Sequence, residues 1–197
     1  MPTKKPSEAA DVMLAGFTVE QWKQHMDQDE DWTERIEGAD AAAVRGIVEA
    51  LAHANADVRL LACNLIYALG ADGLGVQGDA AVTRLAELAA NEPKVKLRTR
   101  ARLVHEAVAQ AQQRAAIHRE FPWLGDSSGD AAAQALAALD DARARVRLHV
   151  YLWWVNAAKP AAASRTAAAQ KLTALVERES EPELRQAASL ALARVRG

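Results

Sequence analysis

The sequence predicts an all-α fold built from stacked antiparallel helix pairs, and three observations favour it. Half of the chain is hydrophobic, and much of that half is alanine, the strongest helix former. Aromatic residues make up only 5% of the chain, and no alternating run of β-branched or aromatic residues predicts a strand. An apolar spacing that belongs to one face of a helix recurs four times along the chain, so helical hairpins are the predicted unit.

The composition divides the chain into three predicted parts. Residues 1–7 hold two prolines and polar neighbours, and we expect a flexible tail there. Residues 8–39 are predicted to form an acidic helical extension. Residues 40–197 are predicted to form one domain of helical repeats, which is an ordinary size for a single core.

Two helices are predicted in the N-terminal extension. The first covers residues 7–15 and ends at Gly16. The second begins after Thr18 and ends at Gly38. Thr18 and Gln21 have the spacing of a capping box, in which each side chain bonds the other residue's backbone N–H.

Four helix pairs are predicted from residue 40 onward, because apolar positions recur there with helical spacing. Asp40 and Asp79 are placed as N-caps, the segment Gly70–Gly78 is predicted to be a loop, and Pro160 breaks the chain. The loop from 118 to 129 separates the second pair from the third. The predicted pairs are 40–54 with 58–69, 79–90 with 94–116, 130–141 with 142–157, and 162–178 with 182–195.

The second helix of each pair repeats one pattern, with apolar residues at offsets 0, 4, 7 and 11 and an arginine directly after the first. The arginines are Arg59, Arg98, Arg147 and Arg185. They are separated by 39, 49 and 38 residues, which brackets the roughly 40–47 residues of HEAT and armadillo repeats.

The turns before two of these helices carry a family resemblance. The segments 55–59 (Asn-Ala-Asp-Val-Arg) and 181–185 (Glu-Pro-Glu-Leu-Arg) place an acid or proline just before an apolar–arginine pair. In this the chain resembles the HEAT-repeat family, over residues 40–196. The resemblance implies a short, curved α-solenoid with a binding or scaffolding role, and it fixes no ligand.

The repeated arginines are predicted to form a structural ladder. We expect each one to pair with an acid of its own turn or of the neighbouring turn, and anion binding is the alternative. The acids placed to serve are Asp57, Glu92, Asp140, Asp141, Glu181 and Glu183.

The two central pairs carry more arginine than a ladder needs, which favours a partner-binding face there. Arg98 and Arg102 lie four residues apart and share one face of a helix, as do Arg143 and Arg147. Such a patch, flanked by Trp154, suits an acidic protein or a phosphate group. The alternatives are a solvated basic face, or a ladder role for Arg98 and Arg147 that leaves only Arg102 and Arg143 free.

The tryptophans are the other candidate anchors. Trp153 and Trp154 are adjacent on a helix, so they point about 100° apart, and Trp154 is predicted to lie near the binding groove. Trp123 lies in the loop with Phe121, where it either anchors a partner or plugs the junction between repeats.

Signatures of enzymes and metal sites are not found in the sequence. His105-Glu106 does not extend to a zinc-protease motif, because Ala109 stands where the second histidine belongs. The glycines between Gly70 and Gly78 follow a helix and precede no Lys-Ser or Lys-Thr, so they do not form a P-loop. We therefore expect no cofactor, no metal and no catalytic residue.

The predicted function is a non-enzymatic protein-interaction or scaffold module that binds a partner, possibly acidic, on its concave face. The resemblance also implies alternatives, since some HEAT-like proteins bind DNA or are glycosylases for alkylated bases, and others resemble bilin lyases. In the glycosylase case Trp153, Trp154, Arg143, Arg147 and Asp141 would form the site. The near-neutral net charge of -2 disfavours a DNA-binding surface.

Charge and apolar runs give the remaining expectations. Residues 1–57 carry a net charge of −7 and residues 58–197 a net charge of +5, which indicates either an anionic partner or two unrelated solvated surfaces. No secretory signal and no apolar run near the length of a membrane span is recognised, so a soluble, cytoplasmic protein is predicted. The single cysteine, Cys63, is predicted to be buried and inert.

Overall fold

The computed structural model describes residues 12–28, 32–126, 131–157 and 160–197. Most of these residues are helical and few lie in strands, which confirms the all-α prediction at this level. The chain forms two compact units: unit 1 ends at Arg114 and unit 2 begins at Ala115. The predicted tail and the starts of the helices predicted from residues 7 and 130 lie outside the described residues.

A short β-hairpin stands where the end of the first helix was predicted. Strands β1 (Met13–Leu14) and β2 (Phe17–Thr18) pair antiparallel. Ala15 and Gly16, between them, have φ values of 47° and 84°. Positive φ at both central residues is typical of the tight turns that join paired strands. The helix predicted up to residue 15 is therefore wrong over the part that the structure describes.

A buried tryptophan explains why the hairpin replaces the helix. Trp22 lies in α1 (Val19–Gln28), and its Nε1 donates a hydrogen bond to the carbonyl oxygen of Leu14 at 2.7 Å. This tertiary bond and the burial of both side chains outweigh the local preference of the alanines for helix. The capping box is confirmed: the Thr18 N–H donates to the Gln21 side chain, and the Gln21 N–H donates to Thr18 Oγ1.

The single helix predicted from Thr18 to Gly38 is divided in the structure, because α1 ends at Gln28 and a separate short helix, α2 (Glu34–Glu37), begins at Glu34. The helices after it follow the predicted order with changed ends. They are α3 (Ala41–Ala50), α4 (Ala56–Leu74), α5 (Gly78–Asn91) and α6 (Val95–Glu120), which continues past the boundary between the units. Asp40 caps α3 as predicted, because its side chain accepts a hydrogen bond from the Ala43 N–H. Asp79 does not cap α5; it lies inside the first turn.

The predicted loop Gly70–Gly78 is largely helical. Helix α4 continues to Leu74 with a kink at Gly70, where φ is 61° and ψ is −173°, and a single 3-10 turn, Gly75–Gln77, leads into α5. That backbone conformation is accessible essentially to glycine alone. Gly70 therefore redirects the helix, whereas the sequence analysis expected it to end the helix.

Unit 2 contains the third and fourth predicted pairs. A 3-10 turn (Pro122–Gly125) precedes α7 (Ala132–Ala138), α8 (Ala144–Asn156), α9 (Ala162–Arg178) and α10 (Pro182–Arg196). Helix α10 packs against both α8 and α9, and α7 packs against the same two helices. The bounds of α9 are those predicted.

Each unit has its own hydrophobic core, and the predicted stripes supply the second helices' share of it. All of the stripe residues are buried except Leu69, which is partly buried. Cys63 is buried, and burial raises the pKa of its thiol to about 12, so it remains protonated and unreactive at neutral pH, as predicted.

One helical stretch among the described residues, 56–91, is long and apolar enough to cross a membrane by length and composition alone. The expectation that no stretch approaches this length is therefore wrong by that criterion. Small residues between the larger aliphatic side chains keep the mean hydropathy of this stretch high, although its apolar residues do not form one continuous run. Leu65, Ile66 and Leu85 of this stretch lie in the core of unit 1, and core helices pass the same criterion.

Candidate functional site

Arg147 and Glu179 form a nearly buried ion pair in unit 2. Arg147 Nε donates to Glu179 Oε1 at 2.6 Å, and Nη2 donates to Oε2 at 2.9 Å. Side-chain exposure is 17% for the arginine and 6% for the glutamate. Tyr151 adds a third bond, because its hydroxyl donates to Glu179 Oε1 at 2.7 Å. Two parallel bonds to one carboxylate fix the geometry of both side chains.

Unit 1 contains the equivalent pair, Arg59 with Glu92. Arg59 donates from Nε and Nη2 to Glu92 Oε2, at 3.0 and 2.6 Å. The two residues are 33 positions apart, against 32 for Arg147 and Glu179. In each unit, therefore, the arginine at the start of one helix pair's second helix holds the turn of the next pair.

Backbone carbonyls complete the ladder, and they bring all four repeated arginines into it. Each arginine donates to the carbonyl oxygen six residues before it, at 2.7–3.0 Å, and the acceptors are His53, Glu92, Asp141 and Glu179 for Arg59, Arg98, Arg147 and Arg185 respectively. The predicted pairing with an acid is thus confirmed for Arg59 and Arg147. It is not seen for Arg98 and Arg185, which bond turn carbonyls and form no ion pair within the described residues. Glu92 was among the predicted acids, whereas Glu179, not Glu181 or Glu183, serves in the last turn. Glu179 is the buried residue directly after α9, and the other two acids are exposed.

The ion pairs shift the pKa values of their members. Hydrogen bonds from Arg147 lower the pKa of Glu179, against the effect of burial. Burial alone would raise the pKa of Glu92, but bonds from the Lys94 N–H and Arg59 outweigh it and lower the pKa. Burial and the bond to Glu179 raise the pKa of Tyr151. Both carboxylates therefore stay ionised at neutral pH.

The four predicted binding arginines divide by their partners. Arg98 and Arg147 are ladder residues. Arg143 is exposed but not free: it donates to both oxygens of Glu120 at 2.7 and 2.8 Å, and to Asp141 at 3.0 Å. These bonds lower the pKa of Glu120 and of Asp141. Arg102 is exposed, and within the described chain no ion pair involves it.

The aromatic candidates mostly lie in the core of unit 2. Trp123 is half-buried and makes edge contacts with Phe121 and Trp153, with ring centroids about 6 Å apart. This arrangement fits the alternative in which the loop aromatics plug a junction. Trp153 Nε1 donates to the carbonyl oxygen of Asp126 at 2.6 Å.

Trp154 does not lie on an exposed face, and the prediction that it flanks a surface patch is corrected. Only 1% of this residue is exposed, because α8 carries Trp153 and Trp154 into the same core. Its Nε1 is buried, and no described residue accepts a hydrogen bond from it. A buried donor without a partner costs about 1–3 kcal/mol, which makes this position unusual.

A regular surface feature that the sequence analysis missed is an exposed leucine on three of the four second helices. Leu103, Leu152 and Leu190 each lie five residues after a ladder arginine and are 47%, 42% and 53% exposed. A count from each arginine in the sequence would have found them. In the first pair this position is Asn64, which accepts a hydrogen bond from Arg100 Nε at 2.8 Å.

In unit 2 this position forms part of a larger apolar surface. Helix α8 presents Leu148 and Val155, both partly buried, on either side of Leu152, and α10, which packs against α8, presents Leu190. We call these four residues the leucine surface. Exposed apolar side chains gathered on two adjacent helices are typical of a protein contact.

The described residues contain no group of three or more His, Cys, Asp or Glu side chains that could hold a metal ion. Asp141, the acid of the glycosylase alternative, is held by Arg143, which keeps its pKa low. Comparisons with protein-family models, with curated proteins and with solved structures found no match for the chain.

Proposed function

We propose that the protein is a non-enzymatic interaction module of HEAT-like helical repeats, which binds a partner protein on the face formed by its second helices. The observation that carries this proposal is the exposed leucine at the same repeat position on neighbouring helices, Leu152 on α8 and Leu190 on α10. A family resemblance of this kind implies that this face is concave.

Most of the predicted binding arginines already bond to groups of the chain, which supports a protein partner over DNA. A DNA-binding surface needs several free cations, because affinity comes from neutralised phosphates. Arg98 and Arg147 are occupied by turn carbonyls or Glu179, and Arg143 by Glu120 and Asp141. Arg145, exposed at the N-terminal end of α8, is placed to attract an acidic residue at the edge of the leucine surface.

The leucine surface would supply the apolar contact area that stabilises the complex. Complete burial of a fully exposed leucine side chain contributes about 1.5–3 kcal/mol. Leu152 and Leu190 are about half exposed, so each would contribute part of that value on binding. A few apolar anchors at the centre of a contact commonly carry most of its binding energy. The expected partner therefore offers apolar side chains surrounded by acidic ones.

The decisive experiment compares charges inserted in the leucine surface with a charge inserted at an exposed apolar position elsewhere. Leu152→Glu with Leu190→Glu should abolish retention of the partner by immobilised protein, whereas Val76→Glu, at a 90% exposed valine outside this face, should not. Partners are identified by quantitative mass spectrometry and then purified, and their Kd is measured by calorimetry. The proposal requires a saturable one-to-one complex whose Kd rises at least about tenfold in the leucine variant.

A DNA titration distinguishes the proposed protein binding from the alternative, nucleic-acid binding. Fluorescence anisotropy with a short duplex should show no binding that weakens steeply between low and moderate salt. Tight, salt-dependent binding that Arg102→Glu with Arg143→Glu removes, and that the leucine variant leaves intact, would overturn the proposal in favour of nucleic acid.

A further inference from the structure

We propose that unit 2 contains a binding site for a small organic monocarboxylate, separate from the leucine surface. The site is a cavity of about 380 Å³ where the C-terminal end of α8 meets the first turn of α9 and the last turn of α10. Its lining includes Trp154, Arg165 and Arg194. The volume lies at the lower end of the roughly 300–1,000 Å³ of small-molecule sites.

Two residues that line this cavity each carry a buried donor without an acceptor among the described residues. Trp154 Nε1 and Arg165 Nε are both buried, and within the described residues neither has a hydrogen-bond partner. The other buried indoles are satisfied, since Trp22 donates to Leu14 and Trp153 donates to Asp126. Buried polar groups in native proteins are almost always paired, so two orphan donors that share one cavity point to an acceptor from outside the chain.

The charge of the cavity selects an anion. Arg165 and Arg194 bring two guanidinium groups from different helices, and none of the described residues that line the cavity is an aspartate or glutamate. Neither arginine forms an ion pair within the described chain. A carboxylate at Gly197, which also lines the cavity, would still leave one net positive charge.

The two buried N–H donors and the apolar residues that line the cavity favour a carboxylate with an apolar tail. Two N–H groups match the two oxygens of one carboxylate, and bonds from a guanidinium to a carboxylate are among the strong ones. A phosphate group has more acceptors and more charge than the two buried donors satisfy. Ala157, Pro160 and Val195 form apolar walls that suit a short alkyl chain or a single ring.

Nuclear magnetic resonance of the tryptophan indoles tests the site directly. The Trp154 Nε1–H signal is assigned by its loss in Trp154→Phe, and the intact chain is titrated with butyrate, hexanoate and benzoate. We expect a saturable shift of that signal, stronger for hexanoate or benzoate than for butyrate. Hexanamide, which lacks the charge, and inorganic phosphate serve as ligand controls and should shift it little.

Variants on the two arginines complete the test. Arg165→Gln should raise the Kd for hexanoate by about tenfold or more, and Arg194→Gln should raise it by a smaller factor. The matched control is Arg196→Gln, because Arg196 is exposed on the same helix, bonds Thr173 and does not line the cavity. Its Kd should stay within about twofold of the wild-type value.

Three results would overturn the proposal. The first is no saturable shift up to about 10 mM carboxylate, a concentration at which only a very weak affinity would go undetected. The second is a shift with hexanamide equal to that with hexanoate, or a stronger shift with phosphate. The third is an equal loss of affinity in Arg196→Gln and Arg165→Gln. Dispersed spectra of each variant show that its unit is folded, so a lost affinity is not a lost fold.

Discussion

Glu179 accepts hydrogen bonds from Arg147 on its side chain and from Arg185 on its backbone carbonyl oxygen. One residue thereby joins the second helix of one pair to the second helix of the next. Glu92 has the same double role in unit 1, with Arg59 on the carboxylate and Arg98 on the carbonyl. A single substitution at either glutamate should therefore destabilise the turn that contains it.

Glu179→Gln should lower the free energy of unfolding by about 3 kcal/mol, because it leaves the nearly buried Arg147 guanidinium without its counter-charge. Urea denaturation followed by circular dichroism measures it. The matched control is Glu177→Gln, at an exposed position in the last turn of α9, which should change the value by less than about 0.5 kcal/mol. Equal effects in the two variants would contradict a structural role for the ion pair.

Stability should fall as the pH is lowered through the range in which these carboxylates titrate. The folded pKa values of Glu179 and Glu92 lie below the value of about 4.3 that glutamate has in an unfolded chain. Below about pH 5 the unfolded chain therefore binds more protons than the folded chain, and the free energy of unfolding decreases as the pH falls through the folded pKa. Above about pH 6 the contribution is complete.

Urea midpoints at pH 7, 5, 4 and 3 measure this dependence. Glu179→Gln removes one of the carboxylates whose folded pKa is lowered, so the decline between pH 5 and pH 3 should be shallower than in the wild-type chain. Glu177→Gln should keep the wild-type slope. An unchanged slope in Glu179→Gln would mean that other carboxylates govern the acid sensitivity.

Leu65→Ala should destabilise unit 1 by about 2–5 kcal/mol, because Leu65 is fully buried on the central helix α4 and its loss leaves a cavity. Val76→Ala, at an exposed valine of the same unit, should have little effect. The denaturation midpoint of each variant gives the comparison. A midpoint that does not move in Leu65→Ala would exclude a central position for this residue.

Gly70→Ala should destabilise unit 1 by about 1–3 kcal/mol through the backbone alone. An added Cβ at Gly70 meets no atom within 4 Å, so the cost comes from holding alanine at φ 61°. Gly46, inside α3, also has open space around it but does not have a positive φ, and Gly46→Ala should stabilise the unit by about 0.5–1 kcal/mol. The two alanine substitutions should therefore have opposite signs in a thermal melt, and a common sign would contradict the explanation of the kink.

Local periodicity explains which features the sequence predicted. The stripe that begins at Val146 and the one that begins at Leu184 were read from spacing alone, and both are buried, because one face of a helix must meet a core. The capping box at Thr18 is equally local. The arginine after the first residue of each stripe was recognisable for the same reason, since its bond to the carbonyl oxygen six residues earlier spans only one turn.

Features that depend on distant neighbours were not predictable in this way. The side chain of Trp154 is as apolar as that of Trp153, and nothing local says that α9 and α10 would enclose both. Arg143 was expected to be free, but Glu120, 23 residues away, reaches it across the loop. The hairpin at Ala15 forms because Trp22 needs an acceptor, which no propensity scale contains.

The double role of Glu92 and Glu179 also bears on how such a chain can grow. The segment from Arg59 to Glu92, like that from Arg147 to Glu179, contains both members of an ion pair within a little over thirty residues. A gene segment of that length, duplicated in frame, would carry both members of the ion pair with it.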